Sequence, residues 1–339
     1  MHASTTSGGS WIRPLRSSAR RGRVHLVCFP FAGGSAGYFH SLAKSLEPDI
    51  LVLGVQYPGR QDRRHEPLIE DIGQLADEIC EALIPWETQP LAFFGHSMGA
   101  VVAFEVARRF QRDDRRAPLA LFASGRRAPS RHRDEDSHAA DDDSIIANLR
   151  SLGGTDPALL EDDEMRRVIL PVIRGDYRAV ETYRAPTTET TLNVPIMAIT
   201  GDRDPSVSLE EASAWREHAA GSFEIKVLTG GHFFIHEHIA EIADCVRRVL
   251  FGFRSERGIT AERQGLFSDE PEEGAAMDAG LEVSCPMCGG LIEATDKDEL
   301  IRLSQLHTLD AHCYNVPAEH VLAAMTPGDI DPGQGEDVR

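Results

Sequence analysis

The stretch that decides the fold is Leu91-Ala92-Phe93-Phe94-Gly95-His96-Ser97-Met98-Gly99-Ala100. Its four apolar residues predict a short buried strand, and the apolar pattern after Gly99 predicts a helix. Between them, G-x-S-x-G is typical of a sharp turn that exposes a nucleophilic serine above a sheet. Glycines two positions before and after Ser97 would let strand and helix pass closely without Cβ clashes. The pattern also occurs in ordinary glycine-rich turns, but its place between strand and helix favours the catalytic interpretation.

A nucleophilic serine of this kind needs a histidine and an acid, which follow it in the order Ser, Asp or Glu, His. Two later strand-like runs each end in a glycine turn, one followed by Asp202 and Asp204, the other by His232. Loops at the carboxyl ends of parallel strands meet at one edge of a sheet, so we expect His232 to act as the base for Ser97. Asp204 is the preferred partner of His232, because a turn must intervene before the side chain points back. Asp202 is the alternative.

The first strand pattern runs into a glycine-rich loop at residues 30–37. In such a loop, and at the start of the helix after the serine, backbone N–H groups can donate to an oxyanion; Ala32 and Met98 are the candidates. A phosphate-binding loop is the rival interpretation, but there is neither a Gly-Lys-Ser/Thr ending nor a G-x-G-x-x-G pattern. His96 is expected to pack beside the nucleophile and not to act as the base.

A long insertion after the fourth strand pattern predicts a helical lid at about 126–190. Asp143 or Ser144 would cap a first lid helix, which the glycine at 153 would end. A second helical pattern contains Pro171, which would break or kink it.

Composition indicates a globular protein, with 41 % hydrophobic and 26 % charged residues. The formal net charge is −19, and the part from Glu256 onward holds 18 acidic and 5 basic residues. There is no apolar run long enough for a membrane span and no apolar signal stretch. Cys28, Cys80 and Cys245 lie in apolar segments, which favours buried thiols in a reducing compartment. We therefore expect a cytoplasmic protein that binds no membrane and, because the acidic tail would repel phosphates, no nucleic acid.

The same patterns divide the chain into five parts. They are a flexible N-terminal arm (1–20), an α/β domain (21–253), a linker (254–280), a small C-terminal module (281–326) and a disordered tail (327–339).

The C-terminal module has the ligand types and pair spacings of a tetrahedral zinc site, Cys-x2-Cys…His-x4-His, although its central gap is longer than in a standard finger. The preferred ligands are Cys285, Cys288, His307 and His312, and Cys313 can replace His312. Because this segment is short, it has little core of its own, and a structural zinc ion would supply its folding free energy. A redox C-x-x-C pair is the alternative, but no βαβ pattern surrounds it.

Residues from about Trp11 to Phe251 resemble the type II thioesterases that serve polyketide and nonribosomal peptide assembly lines. The resemblance is carried by an ordered set of motifs: Phe29-Pro30-Phe31-Ala32-Gly33-Gly34-Ser35, Tyr57-Pro58-Gly59-Arg60, Gly95-His96-Ser97-Met98-Gly99-Ala100, Gly201-Asp202-Arg203-Asp204-Pro205 and Gly230-Gly231-His232-Phe233-Phe234. Two lid segments also match, Leu149-Arg150-Ser151-Leu152-Gly153-Gly154-Thr155 and Leu170-Pro171-Val172-Ile173-Arg174-Gly175-Asp176-Tyr177. Phe31 departs from the pattern, since many relatives carry histidine there, in the oxyanion loop.

The resemblance implies an α/β-hydrolase fold: a mostly parallel central sheet with helices on both faces and a helical lid. It implies that Ser97, His232 and Asp204 hydrolyse acyl groups from the phosphopantetheine arm of acyl or peptidyl carrier proteins, as an editing activity that needs no cofactor. A product-releasing thioesterase or cyclase and a generic ester hydrolase are the alternatives within the same fold. A docking protein that acts through the C-terminal module is the alternative outside enzymes.

Two basic clusters are candidate docking sites for an acidic carrier protein. They are Arg60, Arg63 and Arg64, and Arg126, Arg127, Arg131 and Arg133.

Overall fold

The computed structural model describes residues 11–15, 24–154, 160–186, 190–252, 281–284, 291–294, 296–312 and 318–323. Within these ranges, seven strands form one sheet in the order β1-β3-β2-β4-β5-β6-β7. Among these seven, only β1 is antiparallel to its neighbour. The strands are β1 (Ile12–Pro14), β2 (Val24–Phe29), β3 (Ile50–Val55), β4 (Leu91–His96), β5 (Leu121–Ser124), β6 (Ile196–Gly201) and β7 (Phe223–Leu228).

Helices cover both faces of this sheet. In chain order the helices of the described residues up to 252 are α1 (His40–Leu46), α2 (Ile72–Leu83), α3 (Met98–Arg112), α4 (Asp142–Leu152), α5 (Asp163–Thr182), α6 (Leu209–Ser213) and α7 (Ile239–Phe251). Successive strand side chains point to opposite faces. In β2, Val27 and Phe29 pack with the apolar residues of α2 and α3, whereas Leu26 and Cys28 pack with those of α1 and α7. The predicted α/β-hydrolase architecture is confirmed.

The lid consists of α4 and α5, which share an apolar cluster. The cap of α4 is Asp141, whose Oδ1 accepts from the Ser144 N–H at 2.7 Å. The predicted caps, Asp143 and Ser144, were therefore wrong, because the helix begins earlier in this acidic run. The predicted end is confirmed, since Gly153 takes the left-handed conformation (φ 75°) after Leu152.

Pro171 does not end the second lid helix, because α5 continues through it to Thr182. Proline removes one N–H donor from a helix, and tertiary packing can offset that loss. Here the helix buries Leu170 and Ile173 on either side of the proline, in the shared lid cluster. Of the two expected outcomes, a break or a kink, the break was wrong, and the kink stays a prediction.

Part of the predicted N-terminal arm belongs to the sheet. β1 pairs with β3 along Ile12–Pro14, and Trp11 and Ile12 are almost completely buried. The Trp11 carbonyl accepts from the Gln56 N–H at 2.8 Å, and the Arg63 guanidinium lies over the Trp11 ring. An edge strand of three residues ending in proline has too short a pattern to be recognised from sequence. The boundary at residue 20 was therefore wrong.

The C-terminal module contains an antiparallel hairpin, β8 (Leu281–Ser284) and β9 (Leu291–Ala294), followed by α8 (Lys297–His312) and α9 (Ala318–Ala323). A small apolar cluster joins these elements. Helix α8 contacts both strands and also lies against the turn Gln61–Arg63. The predicted ligands Cys285 and Cys288, the alternative Cys313, the linker and the terminal tail lie outside the described residues, as do the side chains of His307 and His312.

Every helix in the described part of the chain is too short or too polar to cross a membrane.

Replacing Trp11 by alanine should lower the free energy of unfolding by about 3–5 kcal/mol, because a large buried ring leaves a cavity. Chemical denaturation of the full chain measures this. Ile84→Ala is the control, since Ile84 is 54 % exposed and should change stability by no more than about 0.5 kcal/mol. Equal stability of the two variants would show that β1 is not docked.

Candidate active site

Ser97 lies in the sharp turn between β4 and α3, at the carboxyl edge of the sheet. Its backbone has φ 53° and ψ −118°, a conformation that costs energy for any residue with a Cβ. The turn is held by two hydrogen bonds, from the Ser97 N–H to the Ser124 carbonyl at 2.8 Å and from the Ala100 N–H to the Ser97 carbonyl at 3.0 Å. The neighbouring strand and the helix therefore fix the serine in a strained position.

The two glycines of the motif are required by close packing. A Cβ on Gly95 would lie 2.2 Å from the Gly99 carbonyl oxygen, inside the first turn of α3. A Cβ on Gly99 would lie 1.9 Å from the Phe29 carbonyl oxygen, at the end of β2. Both distances are far below van der Waals contact, and both obstacles are backbone. The expected reason for these glycines is thus confirmed.

The structure pairs His232 with Asp204. The His232 Nδ1–H donates to Asp204 Oδ2 at 2.8 Å, and both side chains are almost completely buried. The other Asp204 oxygen accepts from the Ser206 N–H at 2.8 Å, which fixes the carboxylate in place. Asp204 follows β6 and His232 follows β7, so two neighbouring strands deliver the pair to the edge where Ser97 lies.

Asp202 binds a different group, the backbone of the histidine loop. Its Oδ1 accepts from the Gly230 N–H at 2.8 Å, and its side chain is 44 % exposed. This hydrogen bond ties the loop after β6 to the loop that carries His232, and it holds the pKa of the Asp202 carboxyl below its usual value. Asp202 therefore supports the histidine loop, whereas Asp204 binds the histidine itself.

His96 packs beside the candidate base. Its ring centroid is 5.2 Å from that of His232, and its Nδ1 lies 3.0 Å from Ser124 Oγ. The residue is completely buried, and this burial lowers the pKa of His96 well below its usual value. His96 is therefore neutral at physiological pH and places no second positive charge beside His232.

The glycine-rich loop after β2 forms a tight turn next to the serine. The Gly34 N–H donates to the Phe31 carbonyl at 2.9 Å, so Ala32 and Gly33 are the two central residues. Phe31, the residue that departs from the family pattern, packs edge-to-face against Tyr38 and Phe233. Met98, the other candidate oxyanion donor, is the first residue of α3.

The lid covers this edge of the sheet at two points. Ile173 of α5 lies over the oxyanion loop, since its Cδ1 is only 2.3 Å from where a Gly33 Cβ would be. Phe233, which follows the histidine, approaches Gly154 at the end of α4 in the same way, with Cδ2 2.4 Å from the Cβ position. The lid helices therefore pack on the loops that carry both the candidate oxyanion donor Ala32 and the candidate base His232.

Sequence reasoning missed a buried ion pair at the oxyanion loop. Arg60 binds Asp176 of α5 through two hydrogen bonds, and Asp176 also accepts from the Gly33 N–H. Both residues lie in motifs that carried the family resemblance. Nothing in the residue pattern indicates that side chains 116 positions apart would pair.

The two basic clusters are largely neutralised inside the domain. In the first, Arg60 and Arg63 are buried and pair with Asp176 and Glu66. In the second, three arginines pair with glutamates, namely Arg127 with Glu135, Arg131 with Glu217 and Arg133 with Glu211. Five of these seven arginines therefore already pair with a carboxylate of the domain. Docking of an acidic carrier at either cluster stays a prediction.

Comparison with known proteins places this site in a family. Residues 24–250 match the family described as Thioesterase domain. The chain belongs to the thioesterase family.

Individual relatives share the same region. The chain is 47 % identical over 240 residues to the "Probable cadicidin biosynthesis thioesterase" of Streptomyces griseus, which covers 71 % of this chain and 66 % of that protein. It is 46 % identical over 238 residues to "Thioesterase PikA5" of Streptomyces venezuelae, covering 70 % and 84 %. Among solved structures, the type II thioesterase BorB from the borrelidin biosynthetic cluster is 46 % identical, with a TM-score of 0.66, covering 71 % of this chain and 98 % of BorB.

Asp204→Asn should lower kcat for hydrolysis of an acyl thioester by about 10⁴-fold, because the amide can no longer hold the imidazole in the required tautomer. Asp202→Asn is the matched control, since it keeps an oxygen that can accept from the Gly230 N–H, and its kcat should fall far less. Release of free thiol measures both. A larger loss in Asp202→Asn would show that the acid of the triad is Asp202 and not Asp204.

Proposed function

We propose that this protein is an editing thioesterase that hydrolyses acyl groups from the phosphopantetheine arm of acyl or peptidyl carrier proteins, with Ser97, His232 and Asp204 as its catalytic triad. The observation that carries the proposal is the buried His232–Asp204 pair beside the strained Ser97 turn, in a chain of the thioesterase family. The named relatives, which include a type II thioesterase, support the same substrate class.

The proposed reaction begins with proton transfer from Ser97 Oγ to His232 Nε2, while Oγ attacks the thioester carbonyl. Asp204 accepts from Nδ1–H and stabilises the imidazolium that forms. The backbone N–H groups of Met98 and Ala32 hold the oxyanion of the tetrahedral intermediate. Collapse breaks the C–S bond, the departing thiolate takes the proton from His232, and the acyl group remains as an ester of Ser97.

Water completes the cycle. His232 removes a proton from a water molecule as its oxygen attacks the Ser97 ester, and a second tetrahedral intermediate forms in the same oxyanion site. Its collapse releases the carboxylic acid and returns the proton to Ser97. Because His96 is neutral, the imidazolium at His232 forms without repulsion from this neighbouring ring. Every step uses groups of this chain and water, so the proposed chemistry needs no cofactor.

The described cysteines also fit a reducing compartment. Cys28, Cys80 and Cys245 are free, buried thiols. Secreted proteins commonly form disulfides, whereas free thiols are usual where the surroundings are reducing. We propose a cytoplasmic location on this ground and on the proposed carrier-bound substrate.

Purified protein should release acetyl and longer acyl groups from a loaded carrier protein, and Ser97→Ala should release none above background. Mass spectrometry of the carrier measures the loss directly. Broad release across chain lengths is the expected result, since an editing enzyme meets many aberrant acyl units. Release of a single long acyl chain would favour product release instead. Hydrolysis of simple esters but of no carrier would contradict the carrier substrate, and no hydrolysis at all would favour a docking protein.

For the C-terminal module we propose a structural zinc ion held by Cys285, Cys288, His307 and His312. One feature of the described residues supports it: the paired strands β8 and β9 flank the Cys-x2-Cys segment. Two thiolates and two imidazoles would supply four ligands of the kind zinc prefers.

The full chain should therefore contain about one zinc ion per molecule, measured by elemental mass spectrometry. Replacing Cys285 and Cys288 together by serine should remove the metal, because both thiolate ligands are lost, and should leave hydrolysis largely unchanged. Cys245→Ser is the control and should keep the metal. A wild-type protein without zinc would contradict the proposal.

A further inference from the structure

We propose that Asp176 and Arg60 are positioning residues that hold the oxyanion loop in its catalytic conformation and couple it to the lid. This inference rests on the proposed function, because it concerns the donor assigned to Ala32. It adds to the site two residues that lie outside the triad.

Asp176 makes three strong hydrogen bonds in a buried setting. Its Oδ2 accepts from Arg60 Nη1 at 2.6 Å and from the Gly33 N–H at 2.7 Å, and its Oδ1 accepts from Arg60 Nη2 at 2.8 Å. The Asp176 side chain is 2 % exposed and that of Arg60 is 8 % exposed. A two-point Arg–carboxylate pair fixes orientation as well as distance. Asp176 thus has one defined position, and the Gly33 amide is held to it.

The Gly33 amide is the centre of the turn that presents Ala32. Gly33 has φ 80°, the left-handed conformation that a turn of this kind needs at its second central residue. The N–H of this residue takes no part in the turn hydrogen bond between Gly34 and Phe31, and it donates to Asp176 instead. Without this acceptor the Gly33 N–H would lose its partner, and the turn that sets the position of Ala32 would be held less firmly.

The loop after β3 holds the same turn from its other side. Arg60 Nη1 also lies 3.3 Å from the Gly34 carbonyl, to which it donates. Tyr57 donates its hydroxyl to the Pro30 carbonyl at 3.2 Å, and the Gln61 side chain donates to Ser35 Oγ at 2.7 Å. These side chains bind residues 30–35 at successive points. Arg60 is the member of the group that also reaches the lid, through Asp176.

Because Asp176 belongs to the lid, its hydrogen bond to Gly33 couples the lid to the oxyanion loop. Asp176 lies on α5 one turn after Ile173, whose side chain covers Gly33. Any displacement of α5 away from the sheet would therefore remove both the apolar cover and the hydrogen-bond acceptor of the oxyanion loop. The loop is complete only when the lid helix is in this position, and misplacement of a catalytic group by about 1 Å can cost on the order of 10²-fold in rate.

Removing the carboxylate removes all three bonds at once. An asparagine could keep the Gly33 N–H and Arg60 Nη1 on its single oxygen and lose only Arg60 Nη2, so alanine is the informative replacement. Asp176→Ala should lower kcat for thioester hydrolysis on the order of 10²-fold, the size of effect seen when one oxyanion donor is lost. KM should change little, because the acyl and thiol binding surfaces remain.

The decisive readout is the affinity of two substrate analogues. A trifluoromethyl ketone forms an oxyanion adduct with the serine, whereas a thioether analogue has no carbonyl group to attack. Asp176→Ala should weaken binding of the ketone by the same factor as kcat and leave binding of the thioether unchanged. Equal weakening of both would show general damage to the site and would overturn the inference, as would wild-type kcat and ketone affinity.

Two further variants provide a cross-check and a control. Arg60→Met combined with Asp176→Leu removes both buried charges, so it should fold even if the single variant is unstable; it should show the same kcat and ketone defects. Arg178→Ala is the control. Arg178 lies on the same helix as Asp176, and its loss breaks an exposed ion pair with Glu70 and should leave kcat unchanged. Failure of the proposed function would appear in the wild type on carrier substrates, whereas failure of this inference would appear only in the differences between variants.

Discussion

The close approach of α3 to the ends of β2 and β4 is the constraint on which the rest of the structure depends. Two glycines permit it, and a single methyl group at either position would overlap backbone atoms. The approach forces Ser97 into a strained conformation and lifts it above the sheet edge. It also aligns the start of α3 with the loop after β2, so the candidate nucleophile and both candidate oxyanion donors are fixed by one packing contact.

The buried titratable groups near this contact are either paired or neutral. His232 has a buried carboxylate partner, whereas His96, its neighbour, is kept neutral by burial. Arg60 and Asp176 neutralise one another where lid helix α5 meets the loop after β3. A buried charge without a partner is very costly, so each of these groups is either paired or uncharged. The site is thereby prepared for the charge that the proposed reaction itself creates.

The lid and the oxyanion loop form one unit in this protein. Apolar contact at Ile173 and hydrogen bonding at Asp176 act on the same glycine, Gly33. The lid motif Gly175-Asp176-Tyr177 and the motif Tyr57-Pro58-Gly59-Arg60 therefore have a shared structural reason. Arg60, one of the basic residues considered for an acidic partner, serves this internal purpose.

The sequence alone determined the strand–turn–helix around Ser97, the order of the triad candidates and the class of fold. The strand–turn–helix is local, because apolar period and glycine position within about ten residues are enough to specify it. The triad order and the class of fold came from the ordered set of motifs that resembles the family. Sequence favoured Asp204 over Asp202, but tertiary structure decided it, because both aspartates lie in one turn and only their direction differs. Tertiary structure also decided that Trp11 is docked on the sheet, that α5 passes through Pro171, and that Arg60 is buried against Asp176. Each of these depends on contacts between residues distant in the chain, and a residue's type does not reveal whether its partner is water or another part of the protein.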